Sequence, residues 1–217
     1  MGGLEFSFND ERLNQRASYC FSKIKRDPSL SFPQIFSQPK DLQGFYRFIN
    51  NEHSEVDDIK DAVFSDTKLL LKGCKSVIAI HDTTHVSPSA KAPKIEEFKY
   101  GNGFFAHVSL LVDSHSKKRI YGPGALYFWN RVAKNQRTDQ KKESDRWLKQ
   151  VDQVEANYSG LEIVHVMDRE GDASSIWSEM YKHGRRFVIR VKSETRPVQK
   201  DNSEMSRLID EMRSEPP

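Results

Sequence analysis

The hydrophobic pattern changes period at Gly73, and that change constrains the fold more than any other feature of the chain. Before it, apolar residues recur at spacings of three and four: Leu13, Ala17, Cys20/Phe21 and Ile24, then Leu42, Phe45, Tyr46 and Ile49, then Val56, Ile59 and Val63. Such spacing describes amphipathic helices, each burying one stripe. Asn9 or Asp10 caps the first helix and Pro28 ends it; Asp41 opens the second, with Leu42, Phe45, Tyr46 and Ile49 turned inward, and Asn50-Asn51 breaks it. Ser54-Glu55-Val56-Asp57 reads as a capping box at the start of the third. After Gly73 the apolar residues run without interruption. Val77-Ile78-Ala79-Ile80 is the pattern of a central strand covered on both faces, closed by His81-Asp82-Thr83-Thr84.

Phe104 to Asp113 and Ile120 to Trp129 read as two further strands joined by a hairpin at 114–118, with residues 85–103 as a loop. Glu143 to Tyr158 is a helix presenting Trp147, Leu148, Val151 and Val154; Glu162 to Met167 is a buried strand; Ser174 to His183 is a helix; and Arg186 to Val191 is a fifth strand. The order predicts a small helical module over 1–72, followed by a mixed α/β or α+β unit over 73–217.

No apolar run approaches the ~20 residues of a membrane span, and the N-terminus lacks a leader, so the expected location is the cytoplasm. Cys20 and Cys74 share no metal-binding spacing and read as buried free thiols. The net charge is only +3, but its distribution is uneven. Ten basic residues face four acids between Asp113 and Lys149, and seven face one between Tyr181 and Lys200. Such patches are either solvated helix faces or the footprint of a polyanion.

Two buried strands end in carboxylates, Ile80-His81-Asp82-Thr83-Thr84 and Val166-Met167-Asp168-Arg169-Glu170-Gly171-Asp172. In an open sheet, ligands collect beyond the carboxyl ends of strands, which makes Asp82 and Asp168 the candidate pair. Brought together, two aspartates repel unless a hard cation such as Mg²⁺ or Mn²⁺ lies between them. Glu170 is a weaker candidate, and Asp172 reads as a cap for the helix after Ala173. His81 and His85 are four apart, but imidazoles at that spacing share a face on a helix, whereas this segment leaves a strand. No Cys or Glu completes a zinc set beside them.

Several blocks carry a family resemblance. They are Phe8 to Arg16, Gly44-Phe45-Tyr46-Arg47-Phe48-Ile49-Asn50-Asn51, Asp82-Thr83-Thr84, His107-Val108-Ser109-Leu110, Trp129-Asn130-Arg131, Lys142 to Trp147, Asp168-Arg169-Glu170-Gly171-Asp172 and Arg186 to Lys192. In this order they resemble the bacterial transposases of the insertion-sequence-four group, relatives of the transposon-five transposase. The resemblance implies a ribonuclease-H-like mixed sheet flanked by helices, behind an all-helical DNA-binding module. It implies a DDE nuclease that uses Mg²⁺ (or Mn²⁺) to cleave transposon-end DNA and join it to target DNA, with Asp82 and Asp168 as metal-binding catalytic carboxylates. Arg12, Arg16, Tyr46 and Arg47 would contact double-stranded end DNA, and Arg190 and Lys192 would hold a phosphate near the cut. Arg169 would serve either as a phosphate contact or in an ion pair. A homodimer in a synaptic complex and a nucleoid-associated location follow from the same resemblance.

The family's third carboxylate lies on a later helix in a Tyr-x-x-Arg-Glu motif, and this chain reaches Pro217 without one. Glu204 and Glu211, in a terminal stretch that could be helical, are the substitutes at hand; otherwise the chain is a truncated transposase. The competing expectations are a remnant that binds ends or inhibits full-length transposase without cutting, and an unrelated metal-dependent phosphohydrolase acting on small phosphoesters.

Overall fold

The computed structural model describes residues 4–86, 103–116, 119–129, 143–193, 196–199 and 205–214. The helical region begins with α1 (Glu11–Arg26), whose free N-terminal amides are met by Asp10: its side chain accepts the N–H of Arg12 at 2.8 Å. A four-residue helix, α2 (Phe32–Ile35), follows, then α3 (Pro39–Ile49) and α4 (Val56–Leu70). Two apolar clusters hold these together. Phe6, Phe8, Leu13, Ala17, Phe48 and Ala62 form one, and Cys20, Ile35, Phe36 and Phe45 form the other.

The inward stripe of α3 is rotated from the expected one. Phe45 and Phe48 are buried, while Tyr46 and Ile49 are 41% and 48% exposed, because the Phe36 ring stacks on Phe45, with Phe32 tilted against it, and together they draw that side inward. The capping box at α4 does not form either. Glu55 is the N-cap without a side-chain hydrogen bond, Ser54 Oγ is buried without a partner among the described residues, and Val56 is exposed.

The second region is built on β1 (Ser76–Val86), β2 (Phe104–Asp113), β3 (Ile120–Trp129), β4 (Glu162–Met167) and β5 (Arg186–Ile189) in the order β3-β2-β1-β4-β5. β1, β2 and β3 form an antiparallel meander, whereas β4 and β5 run parallel to β1. The parallel pairs require crossovers, supplied by α5 (Glu143–Asn157) ahead of β4 and α6 (Ser174–Lys182) between β4 and β5. This is the ribonuclease-H-like arrangement that the resemblance implied. A short hairpin of β6 (Pro197–Gln199) and β7 (Met205–Arg207) and a terminal helix α7 (Leu208–Ser214) follow.

Alternation along β1 shows where the core lies. Val77, Ala79 and His81 are buried on one face, against a cluster that includes Leu111, Ala125, Val154, Tyr158 and Ile163. A neighbouring cluster of Trp147, Val151, Met167, Ile176 and Met180 binds α5 and α6 to the same face. The other face is only partly covered, with Ile80 40% and Val188 60% exposed. The continuous apolar run at 77–80 therefore marks a strand covered on one face, not two. β1 also continues through Val86, so His81 to Val86 belong to the strand, and the expected loop is outside the described residues from position 87 to 102.

The two regions touch where α4 lies along β3. Lys60 sits 5.6 Å over the Phe128 ring, and Gly122, at φ +146°, lies where a Cβ would collide with Thr67. No helix among the described residues is long and apolar enough to cross a membrane.

Candidate catalytic and DNA-binding site

The register of β1 on β4 sets the site. The parallel pairing runs from Ser76↔Glu162 to His81↔Met167, so Asp82 and Asp168 are the next residue on each of two neighbouring strands. Asp82 lies within β1, on the face opposite His81 in the alternation, and Asp168 is the first residue past the end of β4 beside it. Both are exposed. Asp168 is held by the turn that follows it: its Oδ1 accepts the Glu170 N–H at 2.8 Å and caps the 3-10 turn Arg169–Gly171. Arg169 and Glu170 are exposed on that turn.

Beneath the pair lies a chain of buried hydrogen bonds that neither periodicity nor motif indicated. Ser109 Oγ is 2.9 Å from His81 Nδ1, His81 Nε2 is 2.8 Å from His165 Nδ1, and His165 Nε2 is 2.9 Å from Glu155 Oε1. The chain crosses β2, β1, β4 and α5. A signal was present in the alternation, which places His165 two residues before Met167 on the buried face, but its partner is set by the β1–β4 register, which the sequence does not display. Burial pushes His81 well below the ordinary imidazole range, with His165 and His107 adding to the effect. His165 is also lowered by burial, which its hydrogen bond to Glu155 opposes. His81 is thus a buried hydrogen-bonding residue and His85 an exposed one; both lie within β1, so the expectation that this segment leaves the strand at His81 is corrected.

A cavity of about 490 Å³ opens beside the strand ends, lined among others by Thr83, His107, Trp129, Trp147, Glu170 and Lys192. Its aromatic wall is ordered: Trp147 meets His107 edge-on at 4.5 Å, Phe105 stacks on Trp129 at 5.4 Å, and the Arg146 guanidinium lies 4.7 Å over Trp129.

The expected phosphate-holding residues follow β5. The strand ends at Ile189, not Val191, although the Arg190 N–H still donates to Met167 O at 3.1 Å. Arg190 and Lys192 are exposed. Asp172 is not the helix cap expected of it. Ala173 occupies that position, while Asp172 Oδ2 accepts the Lys192 N–H at 2.6 Å and pairs with Arg196 at 2.7 Å.

In the helical region the four expected DNA contacts differ in their freedom. Arg12 is tied to its own cap, with Nη2 3.0 Å and Nε 3.3 Å from the Asp10 carboxylate. Arg16 is half-buried and lies across α3, its guanidinium filling the space where a Cβ on Gly44 would stand. Arg47 and Tyr46 are exposed and border a shallow depression of about 590 Å³ with Pro39, Leu42, Gln43 and Asn50. Of the two glutamates considered as a third carboxylate, Glu204 falls outside the described residues. Glu211 lies half-buried on α7. Among the described residues no three His, Cys, Asp or Glu side chains gather as a metal site. The carboxylate pair offers the hard oxygen donors a divalent cation prefers, and Asp168 keeps its Oδ2 unengaged by the cap.

Residues 4–54 match the family model described as transposase DNA-binding. Among solved structures the chain is similar to the Mos1 transposase paired-end complex with left transposon end, at 8% identity over 83% of this chain and 60% of that one, with a TM-score of 0.31. It is similar also to the piggyBac transposase synaptic complex with hairpin DNA, at 12% identity over 100% of this chain and 48% of that one, with a TM-score of 0.40. The chain thus spans 60% and 48% of the lengths of these two chains.

Proposed function

We propose that this chain is the DNA-binding and core portion of an insertion-sequence transposase of the insertion-sequence-four group, acting on transposon-end DNA. One observation carries the reading. A sequence matching the transposase DNA-binding family precedes, in the same chain, a sheet whose parallel strands bring Asp82 and Asp168 side by side.

In this reading the helical region holds the end DNA, with Tyr46 and Arg47 meeting it from the exposed face of α3. Arg16 adds charge beneath them, and Arg12 reaches a phosphate by exchanging its bond to Asp10. Asp82 and Asp168 would hold Mg²⁺ or Mn²⁺, one carboxylate from each strand. When bound, such a cation supplies Lewis-acid activation of a phosphodiester and its attacking oxygen. Arg190, Lys192 and Arg169 place positive charge on the side of Asp168, where an incoming phosphate carries its negative charge. The cap from Glu170 N–H fixes the Asp168 carboxyl so that it meets the DNA in one orientation. A homodimer would supply the second site needed to act on two ends.

In a second reading the chain binds end DNA without cutting it. Nicking of a supercoiled plasmid carrying the DNA that flanks the gene separates the two. Mg²⁺-dependent nicking abolished by Asp82→Ala and by Asp168→Ala, with duplex binding retained in both, supports the transposase. Salt-sensitive binding with no nicking supports the binding-only reading. Hydrolysis of p-nitrophenyl phosphate without affinity for DNA would overturn both.

A further inference from the structure

The turn between β4 and α6 ends in a carboxylate that the site above does not use. Asp172 is buried to its side-chain tip, and both groups that meet its Oδ2 come from the segment after β5: the backbone N–H of Lys192 at 2.6 Å and the guanidinium of Arg196 at 2.7 Å. Arg196 donates again to the Asp172 carbonyl oxygen at 3.2 Å, and its guanidinium lies 4.7 Å over the Trp177 ring. Upstream, the Arg190 N–H donates to Met167 O. Arg190 is therefore fastened at Met167, and Lys192 and Arg196 at Asp172, one anchor on either side of Asp168 in sequence. Lys192, between the fastenings, lines the cavity that Thr83 and Glu170 also line.

A carboxylate is buried at considerable cost unless it is paired and hydrogen-bonded. Here Arg196 supplies the pair at Oδ2 and the same oxygen accepts a main-chain N–H, while Oδ1 is buried without a partner among the described residues. We propose that Asp172 is a positioning residue, clasped by Arg196, whose task is to hold Lys192 at the cavity it shares with Thr83 and Glu170, so that its ammonium meets the DNA phosphate there. This rests on the reading of Lys192 as a phosphate contact. It gives Asp172 a role separate from metal binding and from helix capping.

The sign of the charge makes the idea testable. Removing the negative charge of Asp172 would by itself strengthen binding to a polyanion, whereas loss of the clasp weakens it. Binding of a short duplex by the full chain is measured across salt concentrations for wild type, Asp172→Ala, Asp172→Asn, Lys192→Met and the Asp172→Ala/Lys192→Met double variant. Lys192→Met is expected to weaken binding severalfold and to flatten the log–log salt slope by about one. Asp172→Ala should do the same despite its lost negative charge, and the double variant should bind no worse than Lys192→Met alone. Asp172→Asn, whose amide oxygen still accepts the Lys192 N–H, should recover most of the binding.

Asp172→Ala binding as tightly as wild type or tighter overturns the inference, as do losses that multiply in the double variant. If Lys192→Met itself binds like wild type, the phosphate contact fails and the inference falls with it. A weakened Lys192→Met beside an unaffected Asp172→Ala removes the inference alone. Should Asp172→Ala not fold, amide hydrogen exchange on the wild-type chain decides: slow exchange at Lys192 supports the clasp, and exchange as fast as an open loop refutes it.

Discussion

His107 makes the stability of this chain depend on pH over a range that is easy to reach. Its ring is wholly buried on β2, with Nδ1 2.9 Å from Thr83 Oγ1 and Trp147 edge-on to its face. Burial pulls its pKa down to about 4 from the ordinary 6.5, with the charge of Asp168 opposing only in part. In the unfolded chain the imidazole takes up a proton as pH falls past its ordinary value, while in the folded chain it stays neutral until about 4. The folded state is thus fully favoured above pH 6.5 and loses ground steadily between there and about 4.

With these two values, linkage gives a loss of about 2 kcal/mol at pH 5 relative to pH 7 from this one side chain. His81 and His165 are also pushed down by burial, so they tilt stability in the same direction. Carboxylates act in a lower window. Asp113, held to about 2 chiefly by the Ser116 hydroxyl, gives up its contribution below about pH 4. Urea unfolding of wild type and His107→Asn at pH 7 and pH 5 tests the argument. Wild type should lose at least about 2 kcal/mol, and the variant should lose about that much less, whatever its starting stability. Equal losses in both proteins, or a wild type as stable at pH 5 as at pH 7, would refute it.

Three further outcomes are expected. Leu111→Ala, at a fully buried position where β2 meets the helix-covered core, should cost about 3 kcal/mol in denaturant unfolding, since a cavity adds to the lost transfer energy. Arg47→Ala should flatten the salt slope of duplex binding by about one, and Arg12→Ala by less, because Arg12 is already paired with Asp10; equal slopes would show that the cap releases freely. Burial pushes the Cys20 thiol up to about 11, so in the folded chain iodoacetamide should modify the half-buried Cys74 well before Cys20, as mass spectrometry of tryptic peptides would record.

The order of elements was legible because period is a local property. The strand–strand–strand–helix–strand–helix–strand succession could be read from spacing alone. What escaped depended on partners distant in sequence. Tyr46 and Ile49 fit the helical stripe of α3 as well as Phe48 does, and only the rings of Phe32 and Phe36 decide which side turns in. Ser54 carries the letter pattern of a cap but not the geometry. Asp172 looked like a cap because its true partners, Lys192 and Arg196, come 20 and 24 residues later. The continuous run at 77–80 suggested a strand covered on both faces, yet apolar residues on an open face cannot be told from buried ones by letters alone.

The buried chain from Ser109 to Glu155 also fixes where its protons sit. An ionised Glu155 can only accept, so His165 must carry its hydrogen on Nε2 and offer Nδ1 as a bare lone pair. His81 must then donate through Nε2 and accept at Nδ1, which leaves the Ser109 hydroxyl to donate. One negative charge at the end of α5 thereby dictates two tautomers and one hydroxyl rotor across three strands. Protonating Glu155 would permit the opposite polarity throughout, so the four groups change direction together or not at all. Nitrogen chemical shifts of the two imidazoles, which distinguish Nε2–H from Nδ1–H, should report the same tautomer for both rings.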